Sequence, residues 1–175
     1  MGAVKVDAAR STLNALNPDV TIVAVHKRLE DFSVVESADV VLDCTDNFAT
    51  RHAINRACVR HRKPLVSGAA IRFDGQIAVF DLSKVDSPCY ACLFAEDAQV
   101  EEVQCSTMGV FAPLTGVIGA MQAMEAIKLV AGVGESLAGR VAMLDAKNAE
   151  WRAVRLKKDP GCGVCAKRAN SAAGR

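Results

Sequence analysis

Apolar residues recur at helical spacing through VKVDAARSTLNAL, residues 4 to 16, and the pattern stops at Asn17-Pro18. VTIVAV, residues 20 to 25, is rich in β-branched residues and predicts a strand. A weakly patterned connection from Leu29 to Ser37 leads to a second strand over 39 to 43. There Val40, Val41 and Leu42 form the short apolar run of a strand covered on both faces. A helix is expected over 48 to 61, ending in the basic run RHRK. Pro64 then opens the strand PLVSGAAIRF, and Gly75-Gln76 begins the strand QIAVF. Helix, strand, connection, strand, helix, strand is the alternation of a mainly parallel sheet with helices on both faces. A first helix of this kind normally returns from an earlier strand, and the sequence offers none before it.

The second half is patterned differently. Residues 86 to 109 are polar, mixed in pattern and long for a connection in a compact domain, which marks a functional or disordered loop. A helix follows Pro113 over 114 to 131, with Gly116, Gly119, Ala120 and Ala123 permitting close approach of a neighbour. GRVAMLDA and EWRAVRLK, 139 to 146 and 150 to 157, predict an antiparallel pair. The apolar stretch 110 to 131 contains Glu125 and Lys128 and reads as a buried helix, not a membrane span. One domain over 1 to 165 and a disordered, small and basic tail over 166 to 175 complete the organisation, with no internal repeat.

Composition narrows the function. Of 175 residues, 51% are apolar and 23% charged, and the net charge of +1 gives no reason to expect a nucleic-acid surface. MGAVKVDAARSTL lacks the segments of a signal peptide. Seven cysteines without an export signal point to a reducing compartment, so a cytoplasmic location is expected and metal or thiol chemistry is favoured over disulfides.

Four of those cysteines form two C-x-x-C units, Cys89 with Cys92 and Cys162 with Cys165. Two such knuckles supply the four thiolates of a tetrahedral structural zinc site, and Gly161 and Gly163 permit a tight turn. The wide separation leaves unrelated buried thiols and a redox pair as alternatives. Cys44 and Cys58 are expected to be plain buried thiols, and Cys105 a lone cysteine in the polar segment. The strand ending in Asp43 and Asp46 poses a separate question. Either Asp46 or Asn47 simply caps the next helix, or the strand end opens onto a ligand.

LDCTDN at 42 to 47, SGAAIRFDGQ at 67 to 76, the two C-x-x-C units and APLTGVIGAMQAMEAIKLVAG at 112 to 132, taken in this order, resemble the MoeB/ThiF/HesA family, bacterial relatives of ubiquitin-activating enzymes. The SGAAIR and GVIGAMQAMEAIK stretches are closer to the molybdopterin branch of that family than to the thiamine branch. The resemblance implies a Rossmann-like α/β fold with a structural zinc, and Mg-ATP-dependent adenylation of the C-terminal glycine of a ubiquitin-like sulfur carrier ending in Gly-Gly. It implies that Asp46 holds magnesium beside ATP, that Asn47 lies in the nucleotide pocket, and that Lys5 neutralises phosphate charge. It places Cys89, Cys92, Cys162 and Cys165 on the zinc ligands and Cys105 on a cysteine that in some relatives takes part in sulfur transfer. Arg51 stands where relatives also carry arginine. The polar segment 93 to 109 corresponds to a crossover loop over the carrier's tail, and a homodimer is implied.

The departure from that pattern is at the start. Members begin with a strand and a G-x-G-G-x-G turn that receives phosphates on backbone N–H groups, and this sequence has neither. The expectation is therefore an N-terminally truncated member, inactive by itself, that belongs to a complete adenylyltransferase. The alternative is a non-catalytic, zinc-braced binding module for the carrier or a partner.

Overall fold

The computed structural model describes residues 2–28, 32–97 and 108–166. The chain divides into two compact units, Met1–Asp31 and Phe32–Arg175. In the first, helix α1 (Lys5–Leu16) buries no side chain and ends at Asn17, one residue before a proline that disfavours helical backbone at its predecessor. The β-branched run at 20 to 25 forms no ladder among the described residues, which corrects the strand expected there. Side-chain preference favours extended backbone, but a strand exists only where a neighbour takes its hydrogen bonds.

The second unit is built on a five-stranded sheet whose spatial order follows the chain, β1-β2-β3-β4-β5. The strands are β1 (Val41–Asp43), β2 (Leu65–Ile71), β3 (Asp74–Phe80), β4 (Arg140–Asp145) and β5 (Glu150–Arg155). Short helices α2 (Val34–Ser37) and α4 (Tyr90–Leu93) flank two long ones, α3 (Phe48–His61) and α5 (Ala112–Ala131).

β1 and β2 are parallel, joined through α3, and the other three pairings are antiparallel. The sheet is thus mixed, and its antiparallel part begins earlier than the sequence suggests. Ile71 lies opposite Asp74, so only Arg72 and Phe73 link β2 to β3. A two-residue link makes a hairpin and is far too short for a parallel crossover. Arg72 takes the left-handed conformation (φ 49°) that the turn needs.

Helices cover both faces, as the alternation of side chains requires. Leu65, Ala78 and Phe80 point to one face, where Ile54, Ala57 and Cys58 of α3 complete a core with Tyr90. Val66, Ile77 and Val79 point to the other, against Met121 and Leu129 of α5. Helix α5 is only half the buried helix expected. Leu114, Ile118, Gln122 and Glu125 form one stripe against the sheet, while Met124, Ile127 and Val130 are exposed. By length and composition alone α5 could cross a membrane. Two of its four sheet-facing residues are polar, however, and both are held by the second unit. Glu125 accepts from Lys128 Nζ at 2.7 Å and from the Leu137 N–H at 2.6 Å.

Candidate functional site

The two acids at the end of β1 have separate jobs. Asp43 is 1% exposed, and its Oδ1 accepts from both the N–H (2.9 Å) and the hydroxyl (2.7 Å) of Thr45. The Ser67 hydroxyl of β2 donates to its other oxygen at 3.3 Å. A buried carboxylate with three donors is a structural anchor, and here it fixes the turn that follows the strand. Asp46 is exposed, its carboxylate meeting the Asn47 side-chain amide at 3.4 Å. Asn47 is the helix cap: its Oδ1 accepts from the Thr50 N–H at 2.8 Å, satisfying a donor that the first turn of α3 leaves open.

Asp46 opens onto a cleft of about 260 Å³ beyond the carboxyl end of β1 and beside the second half of β2, lined also by Thr45, Arg51, Gly68, Ala69 and Gln122. Open α/β sheets bind ligands in such a crevice. Arg51, half-buried and one turn into α3, donates through Nη2 to the Thr45 carbonyl and, at 3.2 Å, to the Gly68 carbonyl. It therefore ties the turn after β1 to β2 and puts a fixed positive charge on the cleft wall.

Gln122 closes the floor. Its Nε2 donates to the Asp43 carbonyl at 2.9 Å and the Val66 carbonyl at 3.2 Å, and its Oε1 lies 3.5 Å from Cys44 Sγ. A Cβ added to Gly68 would lie 2.4 Å from Gln122 Cδ and Oε1, so only glycine leaves room for this contact. Gly68→Ala is accordingly expected to displace Gln122, leave polar groups unpaired and destabilise the fold by about 1–3 kcal/mol. Chemical denaturation checks this, and a G68A/Q122A double variant should lose less than the sum of the single losses. Wild-type stability in G68A would show that the contact carries no weight.

Cys44 is exposed as a residue, not buried as expected, because the turn fixed by Asp43 aims it at the cleft and away from the core. Its sulfur is enclosed enough for burial to hold the thiol above its usual value, with the neighbouring Asp43 adding to the rise and Gln122 and Arg51 opposing it. Cys58 is buried as expected, and burial, then Asp43, pushes its thiol up to about 12.

On the α3 face, the two C-x-x-C units come together. Sγ atoms of Cys89 and Cys92 are 3.9 Å apart, those of Cys89 and Cys162 3.7 Å, and those of Cys92 and Cys165 3.5 Å. All four lie within 4.8 Å of one another. Sulfurs held about 2.3 Å from a central zinc form a tetrahedron with edges of about 3.8 Å. A disulfide needs about 2.05 Å, and these cysteines are free. The donor set and its spacing fit a metal ion, the reading that the sequence alone left open. Short loops deliver the ligands: Cys89 is the residue before α4, with the Cys92 N–H donating to its carbonyl at 3.0 Å, and the Cys162 N–H donates to the Asp159 carbonyl at 3.2 Å.

Lys5 belongs to the first unit, exposed at the start of α1, and Cys105 lies outside the described residues. The residues that sequence reasoning missed are Asp43 as anchor, Arg51 as brace and Gln122 as floor. One signal was present: Gln122 falls on the stripe of Leu114, Ile118 and Glu125, where a polar residue must have partners.

Comparison with known proteins agrees with this architecture. The model of the ThiF family matches residues 1–164. The chain is 45% identical over 171 residues to the molybdopterin-synthase adenylyltransferase of Escherichia coli K12, covering 94% of this chain and 67% of that protein. It is 43% identical over 164 residues to the sulfur carrier protein ThiS adenylyltransferase of the same organism, covering 92% and 64%. In fold it is similar to E. coli MccB crystallised with ATP, with a TM-score of 0.76 at 18% identity, covering 95% of this chain and 52% of that one. The chain spans about two thirds of these adenylyltransferases and half of MccB. With a family match over nearly its whole length, and the strand-end cleft and cysteine cluster in place, this chain is a member of the ThiF family.

Proposed function

We propose that this chain serves, as part of a complete enzyme, in ATP-dependent adenylation of the C-terminal glycine of a ubiquitin-like sulfur carrier in molybdopterin or thiamine biosynthesis. The observation that carries the reading is the cleft at the carboxyl end of β1, with Asp46 and Arg51 on its wall, in a chain 45% identical to an adenylyltransferase. In the reaction a carrier carboxylate oxygen forms a bond to the α-phosphorus of ATP while the bond to pyrophosphate breaks. The attacking carboxylate is already ionised at neutral pH, so no side chain has to remove a proton. Arg51, with its charge fixed by two carbonyls, is placed to attract phosphate oxygens. Asp46, exposed and without a cation partner among the described residues, is the carboxylate that would hold magnesium, which neutralises phosphate charge when bound. Zinc is the metal best matched to four cysteine sulfurs in a closed tetrahedron, and four protein ligands leave no open position, so its role is structural. A second copy packing on the exposed Met124, Ile127 and Val130 of α5 would give the homodimer, in the cytoplasm.

The test is a full-length chimera in which this chain replaces the matching part of the E. coli molybdopterin-synthase adenylyltransferase. Carrier-dependent ATP–pyrophosphate exchange, lost with a carrier lacking its last glycine, is the expected result. A folded chimera that binds the carrier without exchange would favour the non-catalytic binding module instead.

A further inference from the structure

Asn55, on the third turn of α3, is fully buried, with 0% of it exposed. Its Oδ1 accepts from the Tyr90 N–H at 3.0 Å. That bond fixes the orientation of the amide, because only the oxygen can accept, and leaves the NH₂ facing the other way. The NH₂ points at the cysteine cluster, with Nδ2 3.6 Å from Cys89 Sγ. A second donor reaches the same cluster, the Asp159 N–H, 3.5 Å from Cys92 Sγ.

Such donors have a clear electrostatic use. Four thiolates around a divalent ion leave two negative charges in excess, and Cys89 and Cys165 are both 0% exposed. Charge at a buried site needs hydrogen-bond donors where water cannot reach. Partners that touch the ligating atoms orient them and tune the metal.

We propose that Asn55 is a positioning residue of the metal centre: it anchors the Cys89 knuckle through Tyr90 and donates a hydrogen bond to the Cys89 sulfur. The inference rests on the zinc reading of the cluster. Its place in the helix widens the consequence. Asn47, the cap just before α3, is followed at intervals of four residues by Arg51 and Asn55, which share one stripe of the helix. The first caps the helix, the second braces the cleft and the third holds the cluster. One helix face thus joins the strand-end cleft to the cysteines.

The experiment uses the full chain with zinc and, as a coloured probe, cobalt(II). Wild type should bind one ion per chain; no binding would overturn the zinc reading and this inference with it. Asn55→Asp keeps the shape and the acceptor for Tyr90 but puts an oxygen where the donor was. Chelator competition should show zinc bound 10–100-fold more weakly, and the sulfur-to-cobalt charge-transfer band should move to lower energy as the sulfur becomes more electron-rich. Wild-type affinity with an unmoved band would overturn the role of Asn55 while leaving zinc intact. A merely structural asparagine would lower stability without moving the band. A second measurement needs no variant. In ¹⁵N-labelled wild type, the Asn55 side-chain amide resonances should shift strongly between metal-free and zinc-loaded protein, and unchanged resonances would equally sink the proposal.

Discussion

On the proposed zinc reading of the cysteine cluster, Cys162→Ser is expected to abolish metal binding and, with it, remove a large part of the stability. Cys162 and Cys165 come from the end of the chain and meet Cys89 and Cys92 across a core that includes Tyr90, Phe80 and Leu65. The cluster closes a long loop and does so in a buried place. A native disulfide closing such a loop contributes about 2–5 kcal/mol. A structural zinc in small domains contributes more, about 10–16 kcal/mol in apparent binding free energy. The sheet here has core of its own on both faces, so the loss falls between partial loosening and complete unfolding. A drop in melting temperature of roughly 10 °C or more is expected, at about 2–4 °C per kcal/mol for a chain of this size. The measurement is zinc content together with a thermal melt, and EDTA treatment of wild type should reproduce the variant. Cys44→Ser is the control, since that sulfur is outside the cluster and faces the cleft. Full zinc content and an unchanged melt in C162S would refute the site.

The second large effect separates the two acids of the strand end. Asp46→Asn in the full-length chimera is expected to lower carrier-dependent exchange by about 10²–10³-fold, the usual cost of one preorganised electrostatic contact at a reacting centre. Its fold should be untouched, because Asp46 is exposed and its described partner is the neighbouring Asn47 amide. Asp43→Asn should do the reverse of this in kind. It presents an amide to the donors of Thr45 and Ser67, and should destabilise the protein by about 1–3 kcal/mol. The pair of variants reads function and folding apart in one assay and one melt. Equal losses of activity and stability in D46N would show that Asp46 is an anchor as well, and would remove it from the cleft chemistry.

Much of this was legible because local chemistry decided it. Helix α3 runs from Phe48 to His61 as expected, since Asn47 is a good cap and Arg62 can end it in the left-handed conformation. The β4–β5 pair forms as expected, and the C-x-x-C units converge as their chemistry requires. What was hidden depended on partners far along the chain. The run at 20 to 25 has strand composition, yet a ladder is a property of two segments. The β2–β3 hairpin was masked because Arg72-Phe73 lacks the glycine or asparagine that usually marks a two-residue turn. Arg51 and Gln122 do their work on main-chain carbonyls, which no side-chain pattern reveals. The half-exposed state of α5 was missed because its outer face, with Met124, Ile127 and Val130, is as apolar as the face that meets the sheet.

The cysteine clamp also has a bearing on the lifetime of the protein. The β2–β3 and β4–β5 hairpins join neighbours in sequence and can form early, whereas Cys92 and Cys165 meet across 73 residues. A contact of that reach is made after the local ones. Interactions formed late in folding act chiefly on the rate of opening. Metal capture at the cluster would then work as a brake on unfolding, more than as an aid to folding. With zinc in the cluster as proposed, a chain made while zinc is scarce would reach the same sheet, open more often and meet proteases in that state, so the amount of this protein in a cell would follow the supply of that ion.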